Sequence, residues 1–354
     1  MLPSRYRQLT KSVIPGGFGA VQKVRDIYLE RDVLFKSMKN NTDNDQLLNE
    51  IQGLSKARSR HVVEIYDVIK GKGDAIIGVI IELLEGRDYH NFFDEAVGNL
   101  KGYLRTIFQI GTALSDLHAV GVTHRDLKLE NLKNSSAGVL KLFDFGISVA
   151  SADYKTMRNR GTQVYAAPEL YVDGAAIVPE MDIYSLGICC WALATNALPP
   201  ELYEMPPQKS ARVRSIATVL PELPVEIVKL IDACLDPSPT FRPKSQHFSQ
   251  IIERHLVRDM HRGIFVEDNK PVFELSHAKR KVTIKIDKRG TLQVIYDGVE
   301  FRITLVEGDV YINNRPACFG DVLHEACLLT FGPINQGSNR VWVTFSSSHP
   351  RMIL

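Results

Sequence analysis

Residues 122–146, which read VTHRDLKLENLKNSSAGVLKLFDFG, contain three side chains whose oxygen atoms could take part in chemistry. Asp126, Asn131 and Asp144 supply two carboxylates and an amide, and Lys128 follows the first carboxylate by two residues. Phosphoryl transfer from a nucleotide needs a carboxylate that orients and deprotonates an attacking hydroxyl, and oxygen ligands that hold Mg²⁺ on the phosphates. Asp126 suits the first role, and Asn131 with Asp144 suits the second, because Mg²⁺ prefers hard oxygen ligands.

The segment resembles the catalytic loop and the D-F-G motif of eukaryotic-type (Hanks-type) serine/threonine protein kinases, a family also found in bacteria. H-R-D and D-F-G are each common as loop tripeptides, but together with Lys128 and Asn131 at the family spacing they form a specific pattern. The resemblance implies ATP and Mg²⁺ as cofactors, protein substrates and a bilobal α+β fold. Lys128 favours serine and threonine over tyrosine as acceptors.

A glycine-rich stretch at residues 12–21, SVIPGGFGAV, precedes these groups. Gly16, Gly19 and Val21 match the kinase pattern G-x-G-x-x-G-x-V, and Ile14 replaces the first glycine. Glycines let backbone N–H groups close over phosphates, because no side chain blocks the approach. The stretch therefore predicts a nucleotide-binding hairpin.

Lys36 ends the sequence V-L-F-K, fifteen residues after Val21, as the V-A-I-K lysine does in the family. A lysine among apolar strand residues needs an anionic partner. The helical period of apolar residues over 45–58 predicts a helix that carries Glu50. By resemblance Glu50 is the partner of Lys36, although the interval between them is shorter than usual.

Two strands are predicted over residues 62–68 and 75–84, and the second continues into E-L-L-E-G, which resembles the hinge between kinase lobes. The resemblance implies that Glu82 and Leu84 offer backbone groups to adenine and that Asp88 contacts the ribose.

Three positions near the nucleotide depart from the family pattern. Lys133 stands where an apolar residue usually lies under the adenine, Leu34 replaces a small residue above it, and Ile14 replaces a glycine. These departures predict weak ATP binding and tolerance of GTP, without touching the groups that transfer phosphate.

An amphipathic helix over 100–120, terminated by Gly121, is expected to deliver the catalytic loop. Family motifs further on imply that Asp182 braces this loop and that Arg242 pairs with Glu169. The segment after D-F-G contains candidate phosphorylation sites at Thr156, Ser151 and Ser148. Arg125, beside Asp126, is their expected charge partner.

The amino-acid composition limits the partners and the cellular compartment that can be expected. Lys and Arg number 43 against 41 Asp and Glu, so neither nucleic acid nor an anionic membrane is an expected partner. Five cysteines without C-x-x-C spacing fit a reducing cytoplasm. No apolar run reaches the roughly 18 residues of a membrane span, so none is expected.

From about residue 272 the pattern alternates every second residue, which predicts seven or eight short strands. Residues 310–332, VYINNRPACFGDVLHEACLLTFG, faintly resemble the second half of a forkhead-associated domain. The alternatives for this module are phosphopeptide binding and, as the favoured interpretation, a β-sandwich that docks on the kinase domain or on an unidentified partner.

We therefore expect a kinase domain over 1–258, with an N-lobe over about 1–84 and a C-lobe over about 85–258, followed by an all-β, sandwich-like domain over 259–354. The predicted function is ATP-dependent serine/threonine phosphorylation, including autophosphorylation. The alternatives are a pseudokinase or nucleotide-binding scaffold, a small-molecule phosphotransferase, and a binding module that acts through the β domain.

Overall fold

The computed structural model of the chain describes residues 2–9, 14–16, 19–37, 44–71, 73, 75–89, 98–144, 163–172, 174–267, 270–348 and 350–352. The chain divides into two compact units, Met1–Ile252 and Glu253–Leu354.

The first unit begins with an antiparallel sheet whose strand order is β1-β3-β4-β6-β5, with β2 paired to β3. Its strands are β1 (Tyr6–Gln8), β2 (Ile14–Gly16), β3 (Gly19–Asp26), β4 (Arg31–Ser37), β5 (Ile65–Lys70) and β6 (Ile76–Ile81). Helix α1 (Asn44–Ala57) separates β4 from β5, as the helical period predicted. Val24, Val33 and Ile80 are buried on the core face of the sheet.

Asp26 fixes the turn between β3 and β4. Its buried carboxylate accepts hydrogen bonds from Arg5 Nε at 2.9 Å and Arg5 Nη2 at 2.7 Å. It also accepts one from the Tyr28 N–H at 3.1 Å. The guanidinium holds the pKa of Asp26 at about 2, well below its usual range. This turn sets the register in which Val21 on β3 lies opposite Lys36 on β4.

The rest of the first unit is mainly helical. Its helices are α2 (Leu100–Ala119), α3 (Glu180–Ala192), α4 (Val225–Cys234) and α5 (Ser245–Leu256), whose last four residues belong to the second unit, and β7 (Leu132–Asn134) pairs with β8 (Leu140–Leu142). The Asn99 side chain caps α2 by accepting from the Gly102 N–H at 2.9 Å. Gly121 follows the helix with φ of 76°, the left-handed conformation that favours glycine.

Helix α3 is buried on every side from Met181 to Trp191. Most of these residues are apolar, as expected for a helix in a core, and the buried polar residues Asp182 and Ser185 are hydrogen-bonded to neighbouring segments. Tyr103 of α2 donates from its hydroxyl to the Cys190 carbonyl at 3.0 Å, which ties the two helices together.

The second unit consists of two antiparallel sheets. Its strands are β9 (Gly263–Glu267), β10 (Lys270–Leu275), β11 (Lys281–Ile286), β12 (Gly290–Tyr296), β13 (Phe301–Gly308), β14 (Val310–Ile312), β15 (Arg315–Pro316), β16 (Val322–Leu323), β17 (Ala326–Phe331) and β18 (Val341–Ser347). One sheet has the order β10-β9-β18-β17-β14-β15 and the other β11-β12-β13-β16. Buried side chains from both sheets form one core, in which Phe265, Phe301 and Phe345 pack with ring centroids 4.8 and 5.3 Å apart.

The alternation in the sequence predicted seven or eight strands here, and the described residues of this unit contain ten. The additional strands include β15 and β16, which have two residues each and are too short to show a period in sequence.

All five cysteines lie in the described part of the chain as free thiols, with Cys189, Cys190, Cys234 and Cys327 buried and Cys318 exposed. Among the helices in the described residues, none combines the length and the apolar character that crossing a bilayer requires.

Candidate active site

The loop from His124 to Asn131 brings the predicted catalytic groups together. Asp126 is 5% exposed, and its Oδ2 atom accepts from Lys128 Nζ at 2.8 Å and from Asn131 Nδ2 at 3.0 Å. Asn131 Nδ2 also donates to the Asp126 carbonyl oxygen at 2.8 Å. The bonds from Lys128 and Asn131 to Oδ2 hold the Asp126 carboxylate in one orientation.

Asp182 of α3 holds the backbone of this loop. Its buried carboxylate accepts from the N–H groups of His124 and Arg125, both at 2.8 Å. His118 of α2 lies at its other side, with Nε2 2.9 Å from Oδ2. Arg125 has φ of 70°, a conformation that costs energy for a residue other than glycine, and the Asp182 contacts offset that strain.

His124 joins the loop to the segment that carries Asp144. Its Nδ1 atom accepts from the Asp126 N–H at 3.3 Å, and its Nε2 atom donates to the Phe143 carbonyl at 3.2 Å. This pairing requires the neutral ring, and complete burial lowers its pKa below the ordinary value.

Lys36 reaches across from β4 to form an ion pair with the Asp144 carboxylate. Lys36 is 8% exposed, as expected for a lysine on an apolar strand that has found an anion. Asp144 has φ of 59°, and the preceding Phe143 N–H donates to the Asn131 carbonyl at 3.0 Å. The hydrogen bond sets Asp144 close to Asn131.

Glu50, the predicted partner of Lys36, lies on α1, and its side chain is outside the described residues. Ile14 and Gly16 on β2 pair with Val21 and Gly19 on β3, which is the hairpin that the glycine pattern predicts.

The donor set of Asn131 and Asp144 suits Mg²⁺. The amide nitrogen of Asn131 donates to Asp126, so the Oδ1 oxygen of Asn131 and the Asp144 carboxylate are the groups that could hold the ion. In the part of the chain that the structure describes, no cluster of three or more His, Cys, Asp or Glu side chains could hold a metal ion. A site here would therefore be completed by phosphate oxygens and water, as Mg²⁺ sites commonly are.

The positions assigned to the nucleotide base surround the end of β6. Leu34 on β4 pairs with Ile81, and Leu84 is buried. On β7, Lys133 has its Nζ atom 3.4 Å from Asp88 Oδ1 and forms a β-bridge with the same residue. The roles of Leu34 and Lys133 at the nucleotide base stay predictions, and the structure shows that Lys133 is paired with Asp88, the predicted ribose contact.

The model of the protein kinase domain family matches residues 8–257. The chain belongs to the protein kinase family.

Curated relatives of this kinase include maternal embryonic leucine zipper kinase of Xenopus tropicalis, 31% identical over 202 residues, covering 55% of this chain and 31% of that protein. A probable serine/threonine-protein kinase of Clostridium acetobutylicum is 28% identical over 261 residues, covering 68% and 38%. A probable serine/threonine-protein kinase of Bifidobacterium longum is 26% identical over 211 residues, covering 56% and 27%. The chain thus spans between 27% and 38% of the lengths of these relatives.

The kinase contains the predicted Glu169–Arg242 pair. Arg242 Nη1 lies 2.6 Å from Oε1 and Nη2 lies 2.8 Å from Oε2, a bidentate arrangement. Arg242 is 4% exposed and also donates to the carbonyls of Glu180, Asp236 and Pro237. The pair ties the short helix Pro168–Tyr171, which carries Glu169, to the N-terminus of α3 and to the segment after α4.

Thr156, Ser151 and Ser148, the predicted phosphorylation sites, lie outside the described residues, as do Phe145 and Gly146 of D-F-G.

Sequence reasoning missed a pair between Lys141 on β8 and Glu82 after β6, whose Nζ and Oε2 atoms are 2.8 Å apart. The charged Lys141 between two leucines was the available signal. Its partner lies 59 positions away, and the hinge resemblance assigns a role only to the backbone of Glu82, so the sequence alone could not identify the side-chain pair.

Proposed function

We propose that the protein is a serine/threonine kinase that transfers the γ-phosphoryl group of ATP to hydroxyl groups of protein substrates. The observation that carries this proposal is the convergence of Asp126, Lys128 and Asn131 through hydrogen bonds, together with the Lys36–Asp144 ion pair. A pseudokinase would have no need of the complete set.

The geometry supports a division of labour. Asp126 would orient the acceptor hydroxyl and take its proton at Oδ1 or Oδ2, while Lys128, 2.8 Å from Oδ2, would offset the charge of the transferred group. Lys36 would contact the phosphates of ATP. Mg²⁺, when bound through Asn131 and Asp144, would neutralise charge that develops between the β- and γ-phosphates.

The acceptor is proposed to be a protein and not a small molecule. The Glu169–Arg242 pair supports this choice, because it anchors the segment that borders the substrate groove in the family. Relatives named as serine/threonine-protein kinases support serine and threonine as acceptors.

We propose the domain division at 258/259, with the kinase before it and an all-β domain after it. The two-sheet core of residues 263–347 supports a β-sandwich, and only the faint resemblance of residues 310–332 relates it to forkhead-associated domains. A phosphopeptide or docking partner for this domain is part of the same proposal. A cytoplasmic location is consistent with five free thiols.

The test is transfer of labelled phosphate from ATP to casein in the presence of Mg²⁺. We expect incorporation with the wild type and none with Asp126→Asn, which keeps the shape of the side chain but removes the base. Asp287→Asn is the matched control, because Asp287 is exposed and far in sequence from the catalytic loop. Equal incorporation by the wild type and Asp126→Asn would contradict the proposal.

A further inference from the structure

The Lys141–Glu82 pair lies at a junction that the catalytic chemistry does not use. Lys141 is 7% exposed, and besides Glu82 its Nζ atom contacts the Val62 carbonyl at 3.4 Å. A buried ammonium group is expensive unless an anion and hydrogen-bond acceptors compensate it. The position of this lysine is therefore determined by Glu82.

Three segments meet at the pair. The first is the segment after α1, where the Val63 N–H donates to the Leu142 carbonyl at 2.9 Å and the Leu142 N–H to the His61 carbonyl at 2.8 Å. The second is the hinge, where the Glu82 N–H donates to the Glu64 carbonyl at 2.9 Å. The third is β8, which carries Lys141.

Glu82 is held at both its backbone and its side chain. While its N–H is bonded to Glu64, its Oε2 atom accepts from Lys141 and, at 3.3 Å, from the Glu64 N–H. These contacts fix the backbone at Glu82, which the family resemblance assigns to the nucleotide base.

Lys141 is three residues before Asp144, the proposed magnesium ligand, on a strand that ends at Leu142. Displacing Lys141 is expected to displace Asp144, because only Leu142 and Phe143 lie between them and both are held by backbone hydrogen bonds, from the Leu142 N–H to the His61 carbonyl at 2.8 Å and from the Phe143 N–H to the Asn131 carbonyl at 3.0 Å. The pair thus connects the Glu82 backbone, the proposed contact for the base, with the segment that carries Asp144, the proposed metal ligand.

We propose that Glu82 and Lys141 are positioning residues that couple recognition of the nucleotide base to metal binding at Asp144. The inference rests on the proposed nucleotide site. Binding of the base holds Asp144 in place for Mg²⁺, and binding of Mg²⁺ holds the Glu82 backbone in place for the base. Mg²⁺ therefore tightens nucleotide binding beyond its direct contact with phosphate, and the nucleotide tightens Mg²⁺ binding by the same factor.

The test uses Glu82→Gln, Lys141→Met and the double variant, with Lys141→Arg as the conservative replacement. Single variants leave one buried charge unpaired and are expected to lose stability, whereas the double variant removes both charges and retains a melting temperature near that of the wild type. Lys244→Met is the control, since it breaks the exposed ion pair with Glu180.

Calorimetry with ATP, with and without Mg²⁺, measures the coupling, and steady-state kinetics measures KM and kcat. For the double variant we expect the Mg²⁺-dependent gain in ATP affinity to fall at least threefold and KM for ATP to rise about tenfold, with KM for casein unchanged. Lys141→Arg should keep both values within about threefold of wild type.

A folded double variant with the wild-type Mg²⁺ gain and wild-type KM for ATP would overturn the proposal. If the double variant does not fold, Lys141→Arg and Glu82→Gln decide: equal Mg²⁺ gains in these two would overturn it. A wild type that binds ATP but transfers no phosphate would refute the proposed function alone, because the calorimetric comparison still tests the pair.

Discussion

Lys36 on strand β4 is ion-paired with Asp144, 108 residues later in the chain. The pair brings the predicted phosphate-binding lysine and the predicted metal ligand into contact, although they lie on different structural elements. In the proposed complex with ATP and Mg²⁺, Lys36 would hold phosphate oxygens and Asp144 would hold the metal, so the ion pair between them would be exchanged for these new partners.

Asp144→Ala is expected to abolish phosphoryl transfer and the effect of Mg²⁺ on nucleotide affinity, because a metal ligand is lost. Asp126→Ala is expected to lower kcat by at least about a thousandfold while ATP still binds, since this carboxylate contacts the acceptor and not the phosphates. Transfer assays combined with calorimetry separate the two effects. Near wild-type turnover in either variant would rule out the assigned roles.

The nucleotide pocket is expected to bind ATP weakly and to accept GTP. Leu34 and Lys133 place bulk and a charge at positions that are small and apolar in related kinases, and Lys133 is paired with Asp88. Lys133→Leu combined with Leu34→Ala should tighten ATP binding by about tenfold, or about 1.4 kcal/mol. Calorimetry with ATP and GTP checks this. Tight, ATP-selective binding by the wild type would contradict it.

Autophosphorylation is expected at Thr156, with Ser151 and Ser148 as secondary sites. A phosphate carries about −1.5 to −2 charges at neutral pH, and Arg125 beside the catalytic carboxylate is its expected partner. Mass spectrometry of the wild type and of Asp126→Asn shows whether the phosphate is self-supplied, because an inactive variant should carry none. A fully active Thr156→Ala variant would show that this site does not control activity.

Acid should destabilise the kinase through its buried histidines. Burial lowers the pKa of His124 and of His61 below the ordinary value of about 6.5. As pH falls below about 6.5, these rings gain protons in the unfolded chain before they do so in the folded one, so the free energy of unfolding decreases. Above that pH their effect on stability is constant.

The slope can reach at most about 1.4 kcal/mol per pH unit for each histidine, at a pH where the ring is protonated in the unfolded chain and neutral in the folded one. Urea denaturation from about pH 8 to about pH 5 measures it. His61→Asn should remove the contribution of this ring to the slope of the free energy of unfolding against pH. His247→Asn should leave the slope unchanged, because His247 is exposed. An identical slope in wild type and His61→Asn would show that burial of this ring does not cause the acid sensitivity.

Much of the kinase could be predicted from its sequence, because its motifs are local. The family resemblance is confirmed by the match over residues 8–257. The helix over 100–120 is α2 to within one residue, since its apolar period and Gly121 mark both its face and its end. The roles assigned to Asp126, Asn131 and Asp144 stay predictions, although the structure brings the three together.

Features that depend on distant contacts could not be predicted. The strand expected from residue 62 begins at Ile65, because Val62 instead forms a parallel bridge with Leu142 and Val63 bonds to the same residue. The bracing of Asp182 by His118 likewise joins residues 64 positions apart. The C-terminal strands were recognisable by alternation, but their order in two sheets is set by packing between them.

One of the five thiols is exposed, so the protein can be labelled with a dye at a known position. Cys318 is exposed, whereas the other four thiols are buried, and burial raises the pKa of Cys190 and Cys327 and so suppresses their reactive thiolate. A maleimide dye therefore attaches at a single place in the second unit without any engineered cysteine. Three of the buried thiols lie in helices α3 and α4 of the kinase. The slow rate at which a thiol reagent modifies them measures how often that core opens, separately from the dye on Cys318.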